Sequence, residues 1–367
     1  MTSAEFPAYA KRIEFLSDAR NHPFATSRVE VVETHMSWVF LTDRHAYKLK
    51  KPIRLEGHDL AFLEERESQC RNEVDLNRRL SEGVYLGVAQ LSIAPDGKMR
   101  LGEGRAVDWL VWMRRLPDAL MLDRLVTQGQ VDETRLAACI EMLARFYASA
   151  APEPIAPGEY REHLRARIQE SLDALRLPQG GLPLREVLRI ANAQLAFLDE
   201  NAALFDARVR SSRIVEGHGD LRPEHVCLES PPQIIDCLEF SRVLRMIDPV
   251  EELGFLGMEC ARLGAPELDA VIFRAYRRVA GDDPDDRLVH FHKSVTACVR
   301  AKLAVWHVSE PGPKGADAWR HRASGYLALA AHHIDGSPIR CAIDASQGRF
   351  DALRDAGPQA SSGRRAT

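Results

Sequence analysis

Residues 218–228 read His-Gly-Asp-Leu-Arg-Pro-Glu-His-Val-Cys-Leu, and after a Glu-Ser-Pro-Pro turn residues 233–240 read Gln-Ile-Ile-Asp-Cys-Leu-Glu-Phe. This stretch contains two acidic residues that no packing rule requires: Asp220 follows a His-Gly turn, and Asp236 ends a short apolar strand. Two carboxylates brought together suit phosphoryl transfer, because one can receive a hydroxyl proton and the other can hold a metal that neutralises phosphates. The stretch is therefore the best guide to the fold and to the chemistry.

The composition is that of a globular chain with a large core and room for two domains. Of the 367 residues, 45% are hydrophobic and 28% are charged. The formal net charge is -4 and the basic residues are scattered, which is unlike a nucleic-acid-binding protein. We expect a small-molecule partner, with no nucleic acid and no membrane.

The cysteines lie far apart and form no Cys-x-x-Cys pair, which is typical of buried thiols in a reducing compartment. They are Cys70, Cys139, Cys227, Cys237, Cys260, Cys298 and Cys341. The first thirty residues mix charged and apolar side chains, and no apolar run is long enough to span a bilayer. The sequence therefore predicts a cytoplasmic protein, and it leaves the oligomeric state open.

Hydrophobic periodicity changes along the chain from strand-like to helix-like. The first part predicts one amphipathic helix at 60–80 and strands at 28–33, 38–41, 46–51, 88–93 and 106–113. The second part predicts helices at 132–150, 159–175, 184–204, 250–263, 266–279, 287–308 and 317–334. We expect a β-rich lobe at residues 1–115, a mainly helical lobe at residues 116–345, and a disordered tail at residues 346–367.

Several ordered blocks of sequence resemble a known superfamily. The His-Gly-Asp block and the later Ile-Asp pair are similar to the His-Gly-Asp-x-x-x-x-Asn and Ile-Asp motifs of the aminoglycoside phosphotransferase and choline-kinase-like superfamily. Four further blocks look like the bacterial phosphotransferase-like proteins that are often fused to a P-loop ATPase domain. They are Glu-Thr-His-Met-Ser-Trp-Val-Phe-Leu at 33–41, Ala-Tyr-Lys-Leu-Lys-Lys-Pro at 46–52, Glu-Val-Asp-Leu-Asn-Arg-Arg-Leu at 73–80 and Ile-Asp-Cys-Leu-Glu-Phe at 235–240.

The resemblance covers roughly residues 31–264 and implies an α+β, bilobal protein-kinase-like fold. Such a fold has a small antiparallel β lobe with one helix and a larger, mainly helical lobe. It implies transfer of the γ-phosphate of ATP, or GTP, to a hydroxyl of a small molecule, with Mg²⁺ or Mn²⁺ as the metal. This chain contains no Gly-x-x-x-x-Gly-Lys-Ser/Thr sequence, so we expect no P-loop ATPase domain.

The resemblance also implies a lysine for the nucleotide phosphates. Side chains alternate along a strand, so Lys48 and Lys50 share one face, and we prefer Lys48. Glu73, on the following helix, would pair with this lysine. Read without the resemblance, these residues describe an edge strand with charges that discourage aggregation and a solvated helical glutamate.

Other nucleotide contacts are predicted at the first strand turn and at the hinge. Thr34 and Ser37 offer hydroxyls and backbone amides to phosphate, although the turn has no glycine to wrap it tightly. Met113 falls where the superfamily presents backbone groups to adenine, and its alternative role is that of an ordinary core residue. The sequence thus predicts that Thr34 and Ser37 contact the phosphates and that Met113 contacts the adenine.

For the chemistry, the resemblance implies Asp220 as the catalytic base and Asp236 as the metal ligand. Glu239 is expected to hydrogen-bond to Arg222 or Arg245, or to lie at the surface. The chain departs from the superfamily at His225, which stands where a metal-binding Asn is usual. An imidazole is a poor ligand for Mg²⁺ and a better one for softer divalent ions.

Two alternatives remain open. A pseudokinase or nucleotide-sensing regulator would keep the fold and lose turnover, which His225 and the turn without glycine favour. A metal-dependent phosphohydrolase would use His218, Asp220, His225 and Asp236 as a cluster, but it leaves the lysine strand unexplained. The acceptor is not predicted, because the later helices carry both acidic residues at 282–286 and the basic residues Lys293, Arg300 and Lys302.

Overall fold

The computed structural model describes residues 6–55, 58–309 and 315–335. Its strands are β1 (Glu30–Glu33), β2 (Ser37–Leu41), β3 (His45–Lys50), β4 (Arg54–Leu55), β5 (His58–Asp59), β6 (Tyr85–Ile93), β7 (Met99–Leu101), β8 (Arg105–Arg114), β9 (Val215–Glu216), β10 (Val226–Cys227), β11 (Gln233–Ile234) and β12 (Met246–Ile247). Its α-helices are α1 (Phe6–Ser17), α2 (Leu63–Asn77), α3 (Leu122–Gln128), α4 (Glu133–Ser149), α5 (Pro157–Leu175), α6 (Leu184–Glu200), α7 (Ala202–Arg210), α8 (Arg242–Arg245), α9 (Pro249–Arg262), α10 (Leu268–Ala280), α11 (Asp286–Trp306) and α12 (Gly315–Asp335). Short 3₁₀ helices lie at Ala19–Asn21, Asp118–Leu120, Pro178–Gly180, Pro223–His225 and His307–Ser309.

The described residues form two compact units. One contains the residues up to Arg124 together with His225–Ser241, and the other contains Leu125–Glu224 together with the described residues from Arg242 onward. Asp236 therefore belongs to the unit that contains the large sheet, and Asp220 belongs to the helical unit. The lobe boundary expected after residue 115 stays a prediction, and the expected tail at 346–367 lies outside the described residues.

The first unit is built on a six-stranded sheet with the order β1-β2-β3-β8-β6-β7, in which every neighbouring pair is antiparallel. In the middle of the sheet, Lys48 on β3 lies opposite Val111 on β8, and Ala46 lies opposite Met113. The five strands expected from alternation are confirmed within a few residues. Strand β7 was not predicted because three residues are too few to show a period of two.

The two faces of the sheet contact different helices. The face that includes Ala46 packs in one apolar cluster with Cys70 and Val74 of α2, and the opposite face, with Tyr47, packs in a cluster with residues of α1. Because side chains alternate along β3, Lys48 and Lys50 lie on the same face as Ala46. The period of two therefore directs both ammonium groups toward α2.

Helix α1 was not predicted from the sequence. Its buried residues Tyr9 and Leu16, with the half-buried Ile13 between them, are spaced as one face of a helix. This spacing was available in the sequence, but the charged residues between these positions obscured it. The first unit thus contains one more helix than the resemblance implied.

The second unit has a helical core to which α5, α6, α9, α11 and α12 contribute buried side chains. The single helix predicted over 184–204 is wrong at its C-terminal end, because α6 ends at Glu200 and α7 begins at Ala202. Asn201 has non-helical dihedral angles of φ −113° and ψ 28°, and its side-chain amide donates to the carbonyl of Phe197 at 3.0 Å. An Asn side chain competes for backbone groups in this way, and apolar periodicity does not detect it.

The cysteines that the structure describes are buried and form no disulfide, as expected, and Cys341 lies outside the described residues. Across the described ranges, no helix combines the length and the apolar character needed to cross a membrane. The cytoplasmic location stays a prediction.

Arg208 on α7 lies in a buried ion cluster, 2.7 Å from a carboxylate oxygen of Asp248 and 2.7 Å from one of Asp282. Arg208→Leu should lower the free energy of unfolding by about 3–5 kcal/mol, because it leaves two buried carboxylates without their partner. Arg210 is the matched control, since its side chain is 68% exposed and pairs only with Asp206 among the described residues. Arg210→Leu should change the free energy by less than about 0.5 kcal/mol. Equal effects in denaturant unfolding would contradict the structural role of Arg208.

Candidate active site

Strand β3 and helix α2 bring three of the predicted site residues together in the first unit. The Nζ atom of Lys48 lies 2.9 Å from Oε1 of Glu73 and 2.6 Å from Oδ1 of Asp236. The side chain of Glu73 is fully buried, whereas that of Asp236 is 42% exposed. Lys48 therefore links a buried carboxylate to one that is open to solvent.

Lys50 occupies a more enclosed position beside the same glutamate. Its Nζ lies 2.6 Å from Oε2 of Glu73 and 2.5 Å from Oε1 of Glu239, and its side chain is only 2% exposed. Glu239 therefore pairs with Lys50, a contact that the sequence did not predict, and its expected hydrogen bond to Arg222 or Arg245 stays a prediction. The separation of Glu239 and Lys50 by 189 residues leaves no local signal in the sequence.

The charges in this cluster support one another. Burial alone would lower the pKa of Lys48, but Asp236 and Glu73 outweigh it and raise the pKa well above its usual value. Burial alone would raise the pKa of Glu239, but Lys50 and Lys48 outweigh it and lower the pKa. The two ammonium groups of Lys48 and Lys50 thus contact three carboxylates, those of Glu73, Asp236 and Glu239. The cluster therefore has one more negative than positive charge, and its most exposed carboxylate is that of Asp236.

The backbone fixes where the carboxylate of Asp236 lies. Asp236 has φ 62°, in the left-handed region that Asp tolerates better than most residues. Its backbone N–H donates to the hydroxyl of Tyr85 at 3.1 Å, and the next N–H, of Cys237, donates to Oδ1 of Asn77 at 2.9 Å. Strand β6 and helix α2 therefore hold the turn that presents the carboxylate.

His225 reaches Asp236 through the hairpin of β10 and β11. Val226 pairs with Ile234, the N–H of Ile235 donates to the carbonyl of His225 at 2.9 Å, and Nε2 of His225 lies 3.4 Å from Oδ2 of Asp236. The departure from the superfamily motif is therefore located beside the predicted metal ligand.

These donors fit a metal that arrives with phosphates. Proteins usually bind Mg²⁺ through one or two carboxylates, with phosphate oxygens and water completing the coordination. Asp236 offers a carboxylate of this kind, with an imidazole beside it. In the part of the chain that the structure describes, no group of three His, Cys, Asp or Glu residues could hold a metal without such additional ligands.

The other predicted nucleotide residues lie on the same sheet. In the turn between β1 and β2, the Thr34 hydroxyl donates to the carbonyl of Ser37 at 3.1 Å and accepts the Ser37 N–H at 3.0 Å. The Thr34 hydroxyl thus stabilises the turn itself. Met113 is buried in the apolar cluster that contains Ala46, on the lysine face of the sheet.

Asp220 lies in the helical unit, in the loop after β9. Its Oδ2 is 3.1 Å from Nε of Arg222, its Oδ1 is 4.0 Å from Nη1 of Arg300, and its N–H donates to Nδ1 of His218 at 3.2 Å. Two guanidinium groups therefore lie near this carboxylate.

Glu252 on α9 anchors this loop, and sequence reasoning did not find it. Its carboxylate accepts the N–H of Gly219 and, at 2.7 Å, the hydroxyl of Tyr147. Burial raises the pKa of Glu252 to about 7. The available signal was Glu252 among the apolar residues of the helix predicted at 250–263.

The chain is similar to known proteins in sequence and in fold. A model of the phosphotransferase enzyme family (APH) matches residues 34–289. Uncharacterized proteins of Mycobacterium tuberculosis (strain H37Rv) and Mycobacterium bovis are each 34% identical over 320 residues, which is 86% of this chain and 61% of the relative. The chain thus spans 61% of the length of the curated relatives it matches.

A solved structure of a choline/ethanolamine kinase family protein from Mesorhizobium loti has a TM-score of 0.54 and 16% identity. The match covers 89% of this chain and 95% of that chain. At this identity the likeness shows the fold, so the predicted α+β kinase-like fold is confirmed.

The raised pKa of Glu252 predicts a pH dependence of stability. A carboxyl whose pKa is higher in the folded state stabilises the fold at low pH, and this contribution is lost as the pH rises from the unfolded value through the folded one. Relative to Glu252→Gln, which does not titrate, the wild type should lose stability between roughly pH 5 and pH 8. The free energy of unfolding of both proteins, measured across this pH range, tests the prediction. Parallel plots of this free energy against pH would contradict it.

Proposed function

This chain belongs to the phosphotransferase enzyme family, and on that premise we propose that it transfers the γ-phosphate of ATP to a hydroxyl group of a small molecule. The observation that carries the proposal is the position of Lys48, which lies 2.9 Å from Glu73 and 2.6 Å from Asp236. Kinases use such a lysine, paired with a helical glutamate, to hold nucleotide phosphates near a metal-binding aspartate. GTP is the alternative donor.

In this proposal Lys48 contacts the phosphates and Glu73 orients its ammonium group. Lys50 is 2% exposed and engaged by Glu73 and Glu239, so it suits a supporting role. The turn between β1 and β2 would cover the phosphates, although the N–H groups of Thr34 and Ser37 already donate within it, and Met113 would contact the adenine.

Asp236 would hold Mg²⁺, or Mn²⁺ with help from His225. The metal would neutralise charge on the phosphates. The exposure of the Asp236 carboxylate and its fixed backbone support this assignment.

Asp220 is the proposed base. The acceptor oxygen bonds to the γ-phosphorus, the bond from that phosphorus to the bridging oxygen breaks with its electrons passing to ADP, and the hydroxyl proton goes to Asp220. Arg222 orients the carboxylate at 3.1 Å, while His218 and Glu252 hold the loop as positioning residues.

Single substitutions separate the two acids. Asp220→Asn should lower transfer by at least about 100-fold while nucleotide affinity is unchanged, because it removes a base and not a nucleotide contact. Asp236→Asn should remove the metal-dependent part of nucleotide binding. The measurements are thermal shift with ATP, with and without Mg²⁺ or Mn²⁺, and ADP release in a panel of alcohols, sugars, amino alcohols and aminoglycosides. If both variants match the wild type, the assignment is wrong.

A nucleotide-binding regulator with little turnover is the second candidate, and the observation that favours it is His225 beside Asp236. His225→Asn should raise turnover supported by Mg²⁺, since an amide oxygen suits this ion better than imidazole nitrogen. Turnover of both proteins should be compared in Mg²⁺ and in Mn²⁺. A fall in activity with both ions would instead mean that the imidazole suits the natural metal or substrate.

A further inference from the structure

The acidic residues near α11 pair with arginines of the same unit, which offset part of their charge. The pairs are Asp282 with Arg208 at 2.7 Å, Asp283 with Arg277 at 2.6 Å, Asp285 with Arg287 at 2.7 Å and Asp286 with Arg277 at 3.2 Å.

Three basic residues of α11 differ in how close a carboxylate lies to each of them. Lys293 lies 2.7 Å from Asp269, and Lys302 lies 2.9 Å from Glu170. Arg300 has no comparably close partner among the described residues, because its nearest carboxylate is Asp220 at 4.0 Å. Of these three cations, Arg300 is the one directed toward the proposed base.

Arg300 also has unmet hydrogen-bonding capacity. Its side chain is 13% exposed, its guanidinium carbon lies 5.8 Å from the ring centroids of Phe255 and Tyr326, and its Nε atom is buried without a hydrogen-bond partner within the described part of the chain. A guanidinium carries five N–H donors in a rigid fork, and leaving them unpaired in a buried site is costly.

The other charges nearby are already engaged. Glu259 accepts the hydroxyl of Tyr326 at 2.8 Å and the Nε of Arg262 at 2.8 Å, so its two oxygens are occupied. Asp220 is paired with Arg222 at 3.1 Å. Glu224 in turn lies 3.7 Å from Arg222, so the carboxylates around Asp220 have cationic neighbours, whereas the Nε atom of Arg300 has no hydrogen-bond partner among the described residues.

We propose that the acceptor is a small alcohol carrying an anionic group, a carboxylate or a phosphate, which Arg300 binds while the hydroxyl faces Asp220. This inference rests on the proposed phosphotransferase function. A guanidinium fork matches carboxylate and phosphate oxygens with two parallel hydrogen bonds. A cationic amino alcohol or aminoglycoside would instead bring a like charge against Arg300 and Arg222.

Four three-carbon probes test this charge preference: glycerol, 3-amino-1,2-propanediol, D-glycerate and sn-glycerol 3-phosphate. They share adjacent hydroxyl groups and differ in the charge at one end. Calorimetric binding to the full chain should favour the two anionic probes over glycerol by at least about 10-fold, with the amine weakest. The stronger of the two anions identifies the source of the charge.

Variants of Arg300 link the preference to this side chain. Arg300→Met keeps the apolar contact with the two rings and should remove most of the preference for anions, with binding of glycerol changed less than about threefold. Arg300→Lys keeps the charge without the fork and should retain part of it. Lys302→Met, on the same helix, is the matched control and should behave as the wild type.

Equal or tighter binding of the amine, no binding of either anion at millimolar concentration, or an anion preference that survives in Arg300→Met would overturn the inference. ADP release with the same probes is measured separately. Anion binding that depends on Arg300 without any ADP release would support the inference and count against the phosphotransferase function. Release of ADP with the amine and not with the anions would overturn the inference and support the phosphotransferase function.

Discussion

The first unit depends on the cations that lie beside the buried side chain of Glu73. An unpaired carboxylate in a buried site costs free energy, so cations must lie next to it. Strand β3 delivers two of them, because a period of two puts Lys48 and Lys50 on the face that α2 covers. The register of β3 against β8 and the packing of Ala46 against α2 then set the distance between ammonium and carboxylate.

The segment that contains Asp236 completes this arrangement from far along the chain. Lys48 and Asp236 are 188 residues apart, yet their side chains meet at 2.6 Å because the β10–β11 hairpin belongs to the same compact unit as the sheet. In the helical unit a separate set of charges surrounds Asp220, with arginines as its close neighbours. Each unit therefore has its own electrostatic environment. The first unit contains a cluster with more carboxylates than ammonium groups, and the second contains a carboxylate with guanidinium groups nearby.

The sequence predicted the parts of this fold that have a local signature. Alternation identified β3 and the shared face of its lysines, and the apolar run before Asp236 identified a strand end. Features that depend on distant residues were missed: Glu252 binds a loop that lies about thirty residues earlier, and Glu239 binds a lysine on β3. The break at Asn201 was missed because one polar side chain ends α6 without changing the apolar pattern. The roles of the individual site residues stay predictions.

The left-handed backbone at Asp236 has an evolutionary consequence. Few side chains accept φ 62° without strain, and Asp, Asn and Gly are the main ones that do. The replacements that natural drift can fix most readily at this codon therefore preserve the turn and discard the negative charge. A lineage that no longer needs this carboxylate would be expected to arrive at Asn or Gly here, with its folded architecture retained.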